Sequence, residues 1–212
     1  MQPVSIDDAY DRWSPNYDTD RNLTRDLDAA VARELLGNRH FANILEAGCG
    51  TGKNTALFAA IGEAVLGLDF SAGMLEQARA KVKAPHVQFA PADLARPWPA
   101  AAAAHDLIAF HLVLEHIRDL GPVFAHAARC LAPPGTVFVS EFHPFRQYLG
   151  GKARFTAAND TTQQIDAFVH HVSDFVDAAA ANGLRLASLR EWWNDEDLGK
   201  PPRLVTFEFR RA

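Results

Sequence analysis

The sequence predicts an α/β domain built on a doubly wound, seven-stranded, mostly parallel sheet with an antiparallel closing strand. Three observations carry this prediction. Short apolar runs alternate strictly with helix-periodic runs from residue 43 to 192. The first apolar run, Asn43–Ala47, is followed by glycines at alternate positions, Gly48, Gly50 and Gly52, and then by a helix-compatible run, Ala56–Ile61. Strand, glycine turn and helix make the unit that holds nucleotide-type ligands, because a Cβ in the turn would keep the backbone from approaching the ligand. Finally, Leu204–Phe209 follows Leu184–Trp192 without an intervening helix, as an antiparallel edge hairpin requires.

Composition bounds the function. A chain of 212 residues and 23.3 kDa, 48% hydrophobic and 22% charged, suffices for one full-sized domain, and no repeat or linker marks a second. A formal charge of −5 gives no electrostatic footprint for nucleic acid or an anionic membrane. No run of 18 apolar residues and no basic-plus-apolar leader is present, so the expectation is a cytoplasmic protein with no membrane partner. Cys49 and Cys130 stand alone, which predicts neither a disulfide framework nor a metal site.

Residues 1–40 read as an N-terminal helical cap. Ile6, Ala9, Tyr10 and Trp13 recur at helical spacing before Ser14-Pro15-Asn16 breaks the pattern. A second helix spans Leu23–Leu36, with Leu23, Leu27, Ala30, Val31, Glu34 and Leu35 supplying its period and Gly37-Asn38 its stop. The second strand, Ala64–Leu68, ends at Asp69, which stands 23 residues after Glu46, close to the offset at which an acid reaches ribose hydroxyls. Ser71 caps the next helix, Ala72–Val82, whose apolar stripe includes Met74. His86–Phe89 is the third strand and leads to Asp93-Leu94; an Asp there also suits a turn. The residues between Arg96 and Ala104 form a loop or a short helix. The fourth strand, Asp106–Phe110, delivers His111 to the end of the sheet where open α/β folds bind ligands, while Glu115 and His116 read as solvated.

A helix over Gly121–Leu131 precedes the fifth strand, Thr136–Ser140, which runs into Glu141-Phe142-His143-Pro144-Phe145-Arg146. An imidazole such as that of His143 suits a general base, and Arg146 suits a two-pronged grip on an acidic substrate. Two alternatives stand beside these roles: a His before Pro shapes turns, and Glu141 can pair with Arg146. From Gln147 to His171 the chain loses helical period, with a Gly150-Gly151 hinge and a possible strand over Ile165–His171, and residues 145–172 read as a lid inserted after the fifth strand. A helix over Ser173–Ala181 leads to the last two strands.

The pattern Glu46-x-Gly48-Cys49-Gly50-x-Gly52 resembles motif I of the class I S-adenosylmethionine (SAM)-dependent methyltransferases, [D/E]-x-G-x-G-x-G. The run from Val65 to Ala78 resembles their motif II. Phe110-His111-Leu-Val-Leu-Glu-His-Ile resembles the post-strand signature of the small-molecule branch, and Tyr10-Asp-Arg-Trp13-Ser-Pro-Asn-Tyr17-Asp its opening segment. The resemblance implies SAM as cofactor, with S-adenosylhomocysteine as product. It implies that Glu46 faces the methionine amino group, that Asp69 holds the ribose and that Phe70 and Met74 sandwich the adenine. Asp93 and the Leu94 amide would meet the adenine edge, and the Phe110 and His111 carbonyls would receive the amino group. Core packing remains the alternative for Met74, as it does for Tyr10, Trp13 and Tyr17, which the resemblance places over cofactor and substrate. The Asn/Asp-Pro-Pro-aromatic motif of nucleic-acid amine methyltransferases is absent.

The expected function is therefore methyl transfer from SAM to an oxygen or nitrogen of a small molecule, by a monomer or homodimer. Candidate catalytic residues are His143 and His111, and candidate acceptor-binding residues are Tyr10, Trp13, Tyr17, Glu141, His143 and Arg146. Two rivals are a non-catalytic SAM-binding regulator and an NAD-linked oxidoreductase, the latter requiring G-x-G-x-x-G.

Overall fold

The computed structural model describes residues 14, 17–18, 21–151, 154–156, 162–164 and 167–211. Its elements in chain order are α1 (Leu23–Leu36), β1 (Phe41–Ala47), α2 (Thr55–Ile61), β2 (Gly62–Asp69), α3 (Ala72–Lys81), β3 (Val87–Pro91) and β4 (His105–His111). There follow α4 (Leu120–Cys130), β5 (Leu131–Phe142), α5 (Pro144–Tyr148), β6 (Arg154–Thr156), β7 (Thr162–Gln164), α6 (Val172–Ala181), β8 (Leu184–Trp192) and β9 (Leu204–Arg211).

Seven strands form one sheet in the order β3-β2-β1-β4-β5-β9-β8, and β6 and β7 pair separately. The strands from β3 across to β5 are parallel, whereas β9 runs antiparallel to both β5 and β8. Burial on both faces explains the unbroken apolar character of the central strands. Leu45, Leu68, Ile108, Phe110 and Val139 face α4 and α6 through Phe124 and Phe175. Ile44, Val65, Leu107, Ala109 and Phe138 face Leu36 of α1 and Phe58 of α2. Neighbouring residues thus alternate between two cores, and truncating a ring such as Phe58 to Ala would cost about 3–5 kcal/mol.

Three expectations are corrected. Residues 167–171 are not a strand; the paired residues are 154–156 and 162–164. The buried face of α1 is Arg25, Asp28, Val31, Ala32 and Leu36, one step round from the predicted stripe, with Ala30 and Glu34 exposed. Arg25 and Asp28 go inward because they find polar partners there. Glu115 and His116 are not solvated side chains: Glu115 is buried and accepts a hydrogen bond from Gln147 Nε2 at 2.8 Å, and the His116 side chain is 6% exposed. Tyr10 and Trp13 lie outside the described residues. Among the described residues, no helix is long and apolar enough to cross a membrane.

Candidate active site

The cleft opens where the strand order reverses, between the carboxyl ends of β1 and β4, which is where doubly wound sheets hold ligands. Two adjoining cavities of about 50 Å³ each lie there, and both are lined by Tyr17, Gly48, Gly50, His111 and Leu112. Asp28, Glu46, Cys49 and Asn54 complete the first cavity; Asp69, Phe70, Met74 and His116 complete the second.

The glycine turn is shaped by its neighbours. Gly48 has φ +82°, and a Cβ there would come within 2.5 Å of Val113 Cγ2. The Gly48 and Cys49 amides both donate to the Leu68 carbonyl, at 2.7 and 2.9 Å, which pins the turn to β2. Gly50 has φ +52°, and a Cβ there would meet no protein atom within 4 Å, so the backbone is bare on its cleft side. Gly52 sits outside the lining, against Ala78 of α3.

Each cavity holds an acid. Asp69, at the end of β2, accepts the Gly50 amide on Oδ2 at 2.8 Å and the Ser71 amide on Oδ1 at 2.9 Å. Its carboxylate is thereby fixed between the turn and the start of α3, which carries Met74. Glu46 is 1% exposed and accepts a hydrogen bond from the Thr55 hydroxyl. Burial pushes its pKa up to about 7, against the pull of His111 and Thr55. Burial, with Glu46 and Asp69 nearby, also holds the Cys49 thiol well above its ordinary value.

Beneath the turn lies a polar group that sequence reasoning missed. Asp28 of α1 meets His111 Nδ1 at 2.9 and 3.2 Å and accepts from Asn54 Nδ2 at 2.8 Å. Burial would raise the Asp28 pKa, but His111 and its hydrogen bonds bring it below the ordinary carboxylate value. Burial would lower that of His111, but Asp28 and then Glu46 bring it above the ordinary value. The ring lies between Phe58 and Phe138, at centroid distances of 5.7 and 5.4 Å, and Nε2 is buried with no hydrogen-bond partner among the described residues. Leu112, next in the chain, has φ +53°, an uncommon backbone for a non-glycine residue.

Glu141, at the end of β5, holds that strained turn. Its Oε1 accepts the Val113 and Leu114 amides at 2.9 and 2.8 Å, and burial pushes its pKa up to about 8. Over the cleft, Arg25 stacks on the Tyr17 ring at 4.0 Å and donates to the Tyr17 carbonyl. Asp18 accepts from the Thr51 hydroxyl at 2.8 Å and pairs with Lys81 at 2.5 Å.

Several predicted site residues fall elsewhere. His143 caps α5, with Nδ1 accepting the Phe145 amide at 3.2 Å and Nε2 on Glu191 at 2.9 Å, so both ring nitrogens are engaged outside the cleft lining. Arg146 does not pair with Glu141: it pairs with the fully buried Asp197 at 2.7 Å, beside Arg203 at 2.6 Å. Asp93 is exposed and caps its own turn through the Ala95 amide at 2.9 Å, and Leu94 is buried in the core; neither lines the cavities. The Phe110 ring packs between Trp98 and Phe124, and Phe110 is not among the residues lining the two cavities. The signal for Asp28 was present, since residues 25, 28, 32 and 36 keep helical spacing, but a charged pair on that line reads as a solvated face.

Residues 45–139 match a family model described as a methyltransferase domain. The chain is similar to an uncharacterized methyltransferase of Emericella nidulans, at 29% identity over 89% of this chain and 79% of that one. It is 34% identical to a malonyl-[acyl-carrier protein] O-methyltransferase of Pseudescherichia vulneris over 61% of this chain, and spans only 50% of that relative. Among solved structures, the N-methyltransferase NodS of Bradyrhizobium japonicum, in complex with S-adenosylhomocysteine, has a similar fold, with a TM-score of 0.73 at 17% identity over 97% of this chain and 98% of that one.

Proposed function

We propose that the chain is a class I SAM-dependent methyltransferase, in keeping with its similarity to a methyltransferase domain and to an uncharacterized methyltransferase, and that it methylates an oxygen or nitrogen of a small-molecule acceptor. The observation that carries the proposal is the pair of cavities meeting at the sheet's reversal point, with a buried acid in each. A ligand joining an amino acid to a nucleoside fits that arrangement. In this proposal Glu46 faces the ammonium group, Asp69 the ribose hydroxyls, and Phe70 and Met74 the adenine, while the bare backbone at Gly50 admits close approach. When bound, SAM supplies a methyl group already activated by its sulfonium charge. The chain's own contribution is then to hold the acceptor in line and exclude water, and such positioning can supply roughly 7–11 kcal/mol.

The relatives named for O- and N-methylation keep both acceptor atoms open. A monomer or homodimer in a reducing cytoplasm completes the proposal, in keeping with two buried free thiols. Calorimetry against SAM, S-adenosylhomocysteine and NAD tests the cofactor, and tight NAD binding without SAM binding would overturn it. A metabolite screen with methyl-labelled SAM tests the rest. Binding without turnover would favour a regulator, and label found only in nucleic acid or protein would remove the small-molecule acceptor.

A further inference from the structure

We propose that His111 is the general base of the transfer, oriented by Asp28 as a positioning residue, and that the acceptor is a hydroxyl or amine that must lose a proton rather than a carboxylate. The proposal rests on the SAM reading above and deepens it.

Three observations support it. Asp28 lies within hydrogen-bond distance of Nδ1 with both carboxylate oxygens, so the neutral ring carries its proton there and presents a lone pair at Nε2. That Nε2 is a buried nitrogen without a partner among the described residues, on a ring whose side chain is 3% exposed. Such an atom is costly unless a ligand completes it. His111 also lines both cavities. A ligand that joins a nucleoside to an amino acid through sulfur crosses from one cavity to the other at the residues they share. Of those shared residues only Tyr17 and His111 titrate, and burial raises the Tyr17 pKa.

The step balances. The acceptor O–H or N–H bond breaks and its proton goes to Nε2. The electron pair left behind forms the bond to the methyl carbon, and the pair of the broken carbon–sulfur bond stays on sulfur. The positive charge thus passes to the imidazolium, beside the ionised Asp28. A carboxylate acceptor has no proton to give and would leave this pair without a task.

The titratable groups lining the cavities with His111 are Asp28 and Arg25 from α1, Glu46 from β1, Cys49 and Lys53 in the turn, Asp69 at the end of β2, Tyr17, and His116 beyond β4, while the rings packed on it, Phe58 of α2 and Phe138 of β5, are apolar. Ring ¹⁵N spectra of the ligand-free protein give the first test. The Nδ1–H tautomer is expected, with a titration midpoint above that of an ordinary histidine that falls in Asp28→Asn. An Nε2–H tautomer, or a midpoint indifferent to Asp28→Asn, overturns the proposal whatever the activity.

The second test uses methyl-labelled SAM with catechol, tyramine and dopamine as proton-bearing acceptors, and succinate and citrate as carboxylates. Label is expected in the first group only. His111→Gln should lower kcat by about 10²–10⁴-fold and abolish the acid limb of the pH profile. Asp28→Asn should lower kcat and move that limb to lower pH, and both variants should bind SAM within threefold of the parent. Label confined to carboxylates, or variants that keep the parent kcat and limb, overturn the base while leaving the SAM reading intact. Failure of the parent to bind SAM overturns both.

Discussion

At the scale of single residues, the cleft is built from carboxyl groups whose surroundings pull their titrations apart. Glu46 and Glu141 are buried, and their pKa values rise to about 7 and about 8. Both therefore stabilise the fold fully below the ordinary carboxyl value, and that contribution is lost as pH climbs through 7 and then 8. The thermal midpoint of the ligand-free protein should fall between pH 5 and 9. Glu141→Gln, whose amide oxygen can still accept the Val113 and Leu114 amides, should remove the upper part of the fall, on the order of a few kcal/mol at pH 9. An unchanged slope in a scan across pH would mean that Glu141 is ionised throughout. Asp69→Ala should weaken SAM binding by about 1.5–3 kcal/mol by calorimetry, the usual value of hydrogen bonds to a charged group. Glu46, Asp69 and the glycines were legible because their order along the chain carries the pattern. The contact of Asp28 with His111 was not, since the partners are 83 residues apart and only the fold brings them together.

At the scale of elements, the strands and helices of the sheet were legible wherever both cores demand apolar residues. The α1 face was misjudged because inward charged residues are invisible to a hydrophobic period. After β5 the strand expected over Ile165–His171 is not formed at residues 167–171, and partners in this segment are set by distant loops rather than by a core. Arg146 illustrates this: its partner is Asp197, in the connection between β8 and β9, and not the nearby Glu141. Arg203 and Arg146 hold the Asp197 pKa below the ordinary carboxylate range. Asp197→Ala leaves two largely buried guanidinium groups without a counter-charge and should cost about 3–5 kcal/mol in urea unfolding. The paired strands β6 and β7, outside the main sheet, together with the Tyr17–Asp18 segment, are proposed as the lid and cap over the acceptor. Hydrogen exchange should slow at residues 154–156, 162–164 and 17–18 when S-adenosylhomocysteine and acceptor bind. Equal protection with and without ligand would assign them a permanent structural role.

At the scale of the whole molecule, alternation of strands and helices was enough to anticipate the architecture, because parallel strands need covering helices on both faces. The sheet order adds a consequence of its own. β9 follows β8 in the chain yet lies between β8 and β5, bonded to both. A nascent chain that has emerged only as far as residue 203 can assemble the five parallel strands but leaves β5 and β8 as two open edges with a strand-wide slot between them. Phe207 and Phe209, which stack on one another and meet Phe175 and Phe124, arrive only with the filling of that slot. Open apolar edges are templates for pairing with other chains, so the slot between β5 and β8 is exposed to misassembly until β9 fills it.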